Sequence, residues 1–484
     1  MFLNLIIIFL LGSIIRLFFV SSDDHFRIRS ISLNSAAYTF MQSVMFLDFF
    51  NRNCSGFQGI VTYNFGFESL NLTLNVGLDG ISALFFVLSS FLIFLCVIFV
   101  WEEEKTLKEY MIVLLSINLF LLIVFSTMNL FFFYISFEAI LIPMYLMIGF
   151  WGSRQRKIRA VYLFFFYTLI GSLCMLVAII YIYSVVGSLS YEYIHFHKFS
   201  TTEQYWLWLA FFLSFASKIP LFPFHIWLPE AHVEAPTVGS VLLAGILLKL
   251  GVYGFLRFNL GLFPEASLYF TPIVFTLAIF GVIFASMNAL RQTDMKRIIA
   301  YSSIAHMNLV TMGIFSFDLI AIEGSILQSI SHGFVSGGLF FLIGILYRRY
   351  HSRQVYYFSG LTHLMPLYST FFLIFTMSNI ALPGSSSFIG EFLILVGLFK
   401  SNIIASTMAT LGVILCGSYS LWLYNRICFG NLKLSNILFY QDIDDQEFTV
   451  LIILTVLIII TGIFPRLFLD LLHSSCINFY TIFI

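Results

Sequence analysis

Long apolar runs alternate with short polar segments along the whole chain. They fall at 1–20, 31–50, 77–100, 110–127, 130–150, 160–186, 205–227, 236–258, 269–290, 298–316, 320–347, 364–399, 402–425 and 448–465. A membrane-crossing α-helix needs about 20 apolar residues, so each run is long enough, or nearly so, for one crossing. The second is the weakest, diluted by Ser32, Asn34 and Ser35. The first carries one basic residue, Arg16, with no Arg-rich transit pattern and no small-residue cleavage site behind it, and is expected to be the first spanning helix. The pattern predicts an all-α polytopic membrane protein with about fourteen transmembrane helices.

Two runs are interrupted. The seventh contains Lys218-Ile219-Pro220-Leu221-Phe222-Pro223 and the twelfth Leu382-Pro383-Gly384-Ser385-Ser386-Ser387. Proline removes a helical hydrogen bond, and unwound backbone survives at membrane depth only where protein or a water-filled cavity satisfies it. The breaks lie five segments apart, an odd offset that sets two five-helix units in opposite orientations. Paired broken helices of this kind mark transport sites built from inverted repeats. The expected organisation is helices 1–3 in 1–109, a first five-helix repeat in 110–258, a second, inverted repeat in 259–426, and helix 14 with a tail in 427–484. Helices 7 and 12 are the discontinuous ones.

Composition narrows the chemistry. Of the 484 residues 60% are hydrophobic and 10% charged, against about 25% charged in soluble domains, which excludes a water-soluble globular enzyme. Lys plus Arg equals Asp plus Glu, so no basic surplus points to nucleic acid. Six scattered cysteines without a C-x-x-C pair suit neither an iron–sulfur cluster nor structural zinc. No Gly-rich phosphate loop is present, nor any strand-like stretch for one to follow. Sixteen basic residues fall in loops after odd-numbered segments: Arg27, Arg29, Lys105, Lys108, Arg154, Arg156, Lys157, Arg159, Arg291, Lys296, Arg297, Arg348, Arg349, Arg353, Arg426 and Lys433. Five lie on the other side: Arg52, Lys198, Arg257, Lys400 and Arg466. That asymmetry sets the orientation, with both termini on the less positive side and Trp101 and Trp151 flanking two of the basic loops.

An ionisable group at the bilayer centre costs roughly 2.5–3.5 kcal/mol on insertion scales, so those inside the apolar runs carry the information. Glu138 lies mid-segment with Pro143 close behind; Lys218 precedes the first break; Lys249 sits deep in the eighth segment; Glu391 follows the second break. The plain alternatives are a protonated, hydrogen-bonded acid and snorkelling lysines. His306 and His332 are weaker candidates, since a histidine in a helix bundle is as often a packing residue as a relay. Asp79 reads as a simple helix-start charge, Asp318 and Glu323 as helix-end groups, and Glu102-Glu103-Glu104-Lys105 as a solvated loop. His225, Glu230, His232 and Glu234 fit no common zinc spacing and read as a proton-accessible loop. Burial disfavours the charged form of an acid or a lysine, and an opposite partner restores it. A lysine alternating between a carboxylate and a neutral neighbourhood therefore binds and releases a proton. Sodium fits poorly, because hard cations want several oxygen ligands and protonated lysines repel them.

The stretch Phe215–Thr237, with Lys218, the two prolines and the His225-Ile226-Trp227-Leu228-Pro229-Glu230-Ala231-His232 run, resembles the antiporter-like membrane subunits of respiratory complex I. So do Gly245–Gly251, Tyr301–Asn308, Ser385–Phe392 and the basic loop at Trp151–Ile158, and the likeness runs from about residue 75 to 470. The N-terminal 75 residues match in topology alone. The resemblance implies a membrane-arm subunit in which Glu138 pairs with Lys218, Lys249 is central and Glu391 ends the polar axis. It implies that NAD, FMN, iron–sulfur clusters and ubiquinone belong to other subunits, with no cofactor or metal on this chain. It also implies protons as cargo, and as partners lipids and other membrane-arm subunits, including antiporter-like subunits 2 and 5. Sixty phenylalanines and the high hydropathy fit the inner membrane of a mitochondrion, with basic loops toward the matrix. Two other readings stay open: a subunit of a multi-subunit cation/proton antiporter, and a structural spacer.

Overall fold

The computed structural model describes residues 2–64, 73–101, 106–432 and 440–480. The acidic–basic run at 102–105 and Lys433 lie outside the described residues. The elements in chain order are α1 (Phe2–Phe19), α2 (His25–Asp48), β1 (Gln58–Asn64), β2 (Thr73–Leu78), α3 (Gly80–Phe99), α4 (Leu107–Ser126), α5 (Leu130–Ala139), α6 (Leu141–Trp151), α7 (Lys157–Val186), α8 (Tyr191–Phe196) and α9 (Thr201–Lys218). They continue with α10 (Trp227–Glu234), α11 (Thr237–Leu260), α12 (Pro264–Arg291), α13 (Met295–Ile314), α14 (Leu319–Tyr350), α15 (Pro366–Asn379), α16 (Ser386–Ser401), α17 (Ile403–Cys428), α18 (Asp445–Ile463) and α19 (Arg466–Tyr480). The fold is mostly helical, and nine helices among the described residues are long and apolar enough to cross a membrane. The chain is a multi-pass membrane protein.

Short polar residues start the helices. Asp24, Asp79, Asn129, Asp294, Asp318 and Asn402 each accept a backbone N–H of the first turn that has no partner within the helix. Asp318, expected at a helix end, is one of these caps.

The chain forms two compact units. The first comprises residues up to Lys218, Lys249–Phe270 and the chain from Asp470. It contains an antiparallel hairpin, β1 with β2, which corrects the expectation of no strand. The strand signal, Ile60-Val61-Thr62-Tyr63, is four residues of high β-propensity outside the long apolar runs and too short to stand out. Isolated bridges carry the pairing on, Val76 to Thr127 and Asn129 to Ser190. Inside the unit, Phe133, Phe137, Phe211, Phe215 and Phe258 interlock, with the Phe133 and Phe258 rings 4.6 Å apart. Outside, α7 shows Ile158, Tyr162, Phe166, Ile170, Leu173, Val177 and Ile180 at three- and four-residue steps, the apolar face a helix presents to lipid or a neighbouring subunit.

The second unit comprises Ile219–Leu248 and Thr271–Leu469. Its core is α14, every residue of which is buried in the most apolar stretch. A Cβ on Gly390 would come within 2.8 Å of the Gln328 backbone, and one on Gly397 within 2.9 Å of the Ala321 nitrogen. Only glycine lets α16 lie this close to α14, and that approach delivers Glu391 to Gln328.

Candidate functional site

In the first unit, Glu138 lies one residue before the end of α5. Pro143 has no N–H to offer the Ala139 carbonyl, and the helix is interrupted between Ala139 and Leu141. Glu138 is partly buried, Ser172 of α7 stands within hydrogen-bonding reach, and its Oε1 meets no hydrogen-bond partner among the described residues. Lys218, the last residue of α9, is buried, and its ammonium lies 4.5 Å from the centre of the Phe137 ring. Glu138 and Lys218 feel one another's charge. Helix α9 ends at Lys218, the chain turns through Ile219–Ile226, and α10 follows. Lys249 is fully buried on α11, between π-helical turns at Leu243–Leu247 and Phe255–Leu260. Such turns occur frequently at functional sites.

In the second unit, α15 ends at Asn379 and α16 begins at Ser386, placing Glu391 in the second turn of α16. Glu391 is buried, and its Oε1 accepts from His306 Nδ1 of α13 at 3.0 Å and from Gln328 Nε2 of α14 at 3.0 Å. Gln328 Oε1 in turn accepts from Ser331 at 3.0 Å. The His332 ring lies 5.9 Å from the His306 ring. The other face of His306 meets Cys416 of α17, with Nε2 and Sγ 3.6 Å apart. The structure thus joins His306 directly to Glu391 and sets His332 beside it, while Glu138 and Lys218 form a separate cluster in the first unit.

Sequence reasoning missed several buried polar residues. Arg257, counted with the loops, is buried on α11 and ion-paired with Asp79 at 2.5 Å, its guanidinium flanked by Phe57, Tyr191 and Tyr253. The available signal was the apolar sequence resuming at Phe258 and running on through Phe263. Asp79 is a helix-start residue as expected, in a capping box with Ser82, but it is also half of this pair. Nor do Glu230, His232 and Glu234 lie in a loop. They sit on α10, where Glu230 pairs with Arg297 at 2.6 Å and His232 stacks on Phe340 with ring centres 4.7 Å apart. Lys296 is likewise buried, donating to the Ala235 carbonyl at 2.8 Å and to Ser240 at 3.2 Å, and Arg353 donates to the Val233 carbonyl. These basic residues tie down the ends of α10 and α11 that lie in the second unit.

Residues 127–416 match the family described as NADH:quinone oxidoreductase/Mrp antiporter, TM. The chain is 51% identical over 451 residues to NADH-ubiquinone oxidoreductase chain 4 of Chondrus crispus, covering 93% of this chain and 92% of that one. Among solved structures it resembles a chain of respiratory complex I from Thermus thermophilus with bound NADH, with a TM-score of 0.90, 28% identity and full coverage of both chains. It shares its fold with a chain of the Mrp complex from Dietzia, with a TM-score of 0.85 at 18% identity over 99% of this chain and 97% of that one. The chain belongs to the NADH:quinone oxidoreductase/Mrp antiporter family of membrane subunits and, within it, to the NADH-ubiquinone oxidoreductase chain 4 family.

Proposed function

We propose that this chain is a proton-translocating subunit of the membrane arm of respiratory complex I, with Glu138, Lys218, Lys249 and Glu391 as its proton-carrying groups and His306 and His332 as relays. The observation that carries this reading is Glu138, one carboxylate oxygen of which meets no hydrogen-bond partner among the described residues, beside the buried Lys218. Such groups are costly in a membrane and are held there for ion movement. The interruptions at Ile219–Ile226 and Ile380–Ser385 support two inverted five-helix repeats, 110–258 and 259–426, following helices 1–3 in 1–109 and preceding helix 14 in 427–484, about fourteen helices in all.

On this reading NADH oxidation and ubiquinone reduction take place in other subunits, where NAD, FMN and the iron–sulfur clusters are held. The exposed apolar faces, α7 foremost, are covered by lipids and by neighbouring antiporter-like subunits 2 and 5. The likeness to plant and algal chain 4 proteins supports the mitochondrial inner membrane, with the basic loops toward the matrix. The test compares protons moved per electron in membrane vesicles carrying Glu138→Gln, Lys218→Ala, Lys249→Ala or Glu391→Gln. We expect assembled complexes on native gels with a reduced ratio. Wild-type translocation in all four assembled variants would leave only the spacer reading. Migration of the wild-type chain in a smaller assembly without NADH dehydrogenase activity would favour the cation/proton antiporter.

A further inference from the structure

We infer that Cys416 is a positioning residue for the Glu391–His306 pair, its thiol serving His306 Nε2 as acceptor in one protonation state and as donor in the other. The inference rests on the relay reading of His306 above. A buried cysteine is ordinarily a small hydrophobe. Cys416, however, is surrounded by polar atoms. Tyr419 donates its hydroxyl to Sγ at 2.9 Å, the Asn379 carbonyl lies 3.3 Å from Sγ, the Asn379 side-chain nitrogen 3.7 Å, and His306 Nε2 3.6 Å. A cavity of about 10 Å³ bounded by His306, Glu391 and Cys416 has room for at most one water.

The thiol has one hydrogen and two acceptors within reach. A neutral imidazole donates from one nitrogen and accepts at the other, whereas the charged ring donates from both. With one proton, on Nδ1, His306 donates to Glu391 and Nε2 accepts the Cys416 S–H. When a second proton binds at Nε2, that N–H donates to Sγ, and the S–H turns to the Asn379 carbonyl. One proton is added to the ring and no bond to sulfur breaks. Neither ring nitrogen is left without a partner in either state, so the ring takes up and returns its proton without paying for an orphaned buried group. The titratable groups facing His306 in this unit are Glu391 from α16, His332 from α14, and Cys416 and Tyr419 from α17. On α10, Glu230 is engaged with Arg297, nine residues before His306.

The experiment is infrared difference spectroscopy of the intact complex, wild type minus Cys416→Ser, in the S–H stretching region across pH. We expect a band that changes frequency with pH in wild type and stays fixed in a His306→Gln background. A band that does not move with pH, or moves equally without His306, overturns the inference and leaves the relay reading untouched. Pumping supplies the second measurement. Cys416→Ala should slow proton translocation about fivefold, the worth of roughly one hydrogen bond, and alter its pH dependence, while Cys416→Ser recovers most of both. Equal behaviour of the two assembled variants would make Cys416 a packing residue, and should Cys416→Ala fail to assemble, the S–H band alone decides.

Discussion

Two of the acid–base pairs in the first unit are built to opposite plans. Asp79 and Arg257 are both buried, in contact at 2.5 Å, with Ser82 capping the acid and three aromatic rings around the guanidinium. Arginine stays charged at any physiological pH, so this pair has one state. Glu138 and Lys218 sense each other but are each held by other things: the acid beside Ser172 with one oxygen bare, the lysine against Phe137. A pair with unsatisfied capacity and a titratable cation has several states of similar energy. Saturation therefore separates the pair that holds the fold from the pair suited to moving a proton.

The sharpest way to break this contrast is to delete one half of the saturated pair. Asp79→Ala leaves Arg257 buried and charged without its partner, a loss of about 3–5 kcal/mol. The assembled complex on a native gel should all but disappear, while whatever remains assembled pumps a normal number of protons per electron. Normal assembly in this variant would remove the structural role assigned to Asp79. Replacing both members, Asp79→Leu with Arg257→Met, removes the charges together, and substitution of a buried ion pair by apolar groups is often neutral or better. The double variant should regain most of the assembled complex, measured the same way, and failure to do so would mean that the pair does more than satisfy itself.

The sequence displayed the proposed proton-carrying pair more openly than the Asp79–Arg257 pair. Glu138, Lys218, Lys249 and Glu391 interrupt apolar runs, and a charge in such a run is conspicuous because it is costly. The two breaks were equally visible, since proline and glycine act locally. Arg257 was hidden because it stands near the end of an apolar run, where a basic residue is ordinarily at the membrane surface, and its partner is 178 residues away. Gln328 and Cys416 were hidden for a related reason. Neither is charged, and their importance comes from what the approach of α16 and α17 places beside them. Helix period and hydropathy report the environment of one element at a time, so contacts between distant elements left no mark. The β1–β2 hairpin escaped because its strands are short and lie outside the apolar pattern.

The unsaturated pair predicts a different response, smaller in stability and visible in function. Glu138→Gln keeps the shape and removes the charge, so assembly should be unchanged on a native gel, while proton translocation in vesicles falls by about tenfold, equivalent to roughly 1.4 kcal/mol of barrier. Loss of assembly without loss of pumping in the remainder would reverse the assignment of the two pairs.

The smallest effect should come from Ser172. Its hydroxyl donates to the Leu169 carbonyl of its own helix at 2.9 Å and also stands within reach of Glu138. A hydroxyl carries a single hydrogen, which turns to the carboxylate when that is charged and back to the carbonyl when it is not. Ser172→Ala removes this adjustable donor but leaves Lys218 in place, so the loss is one hydrogen bond, about 1 kcal/mol. We expect pumping to fall by about threefold to fivefold with assembly intact, measured beside Glu138→Gln in the same vesicles. In the double variant the two losses should not add, because with Gln at position 138 there is no charge for the hydroxyl to follow. Additive losses would show that Ser172 acts on something other than Glu138.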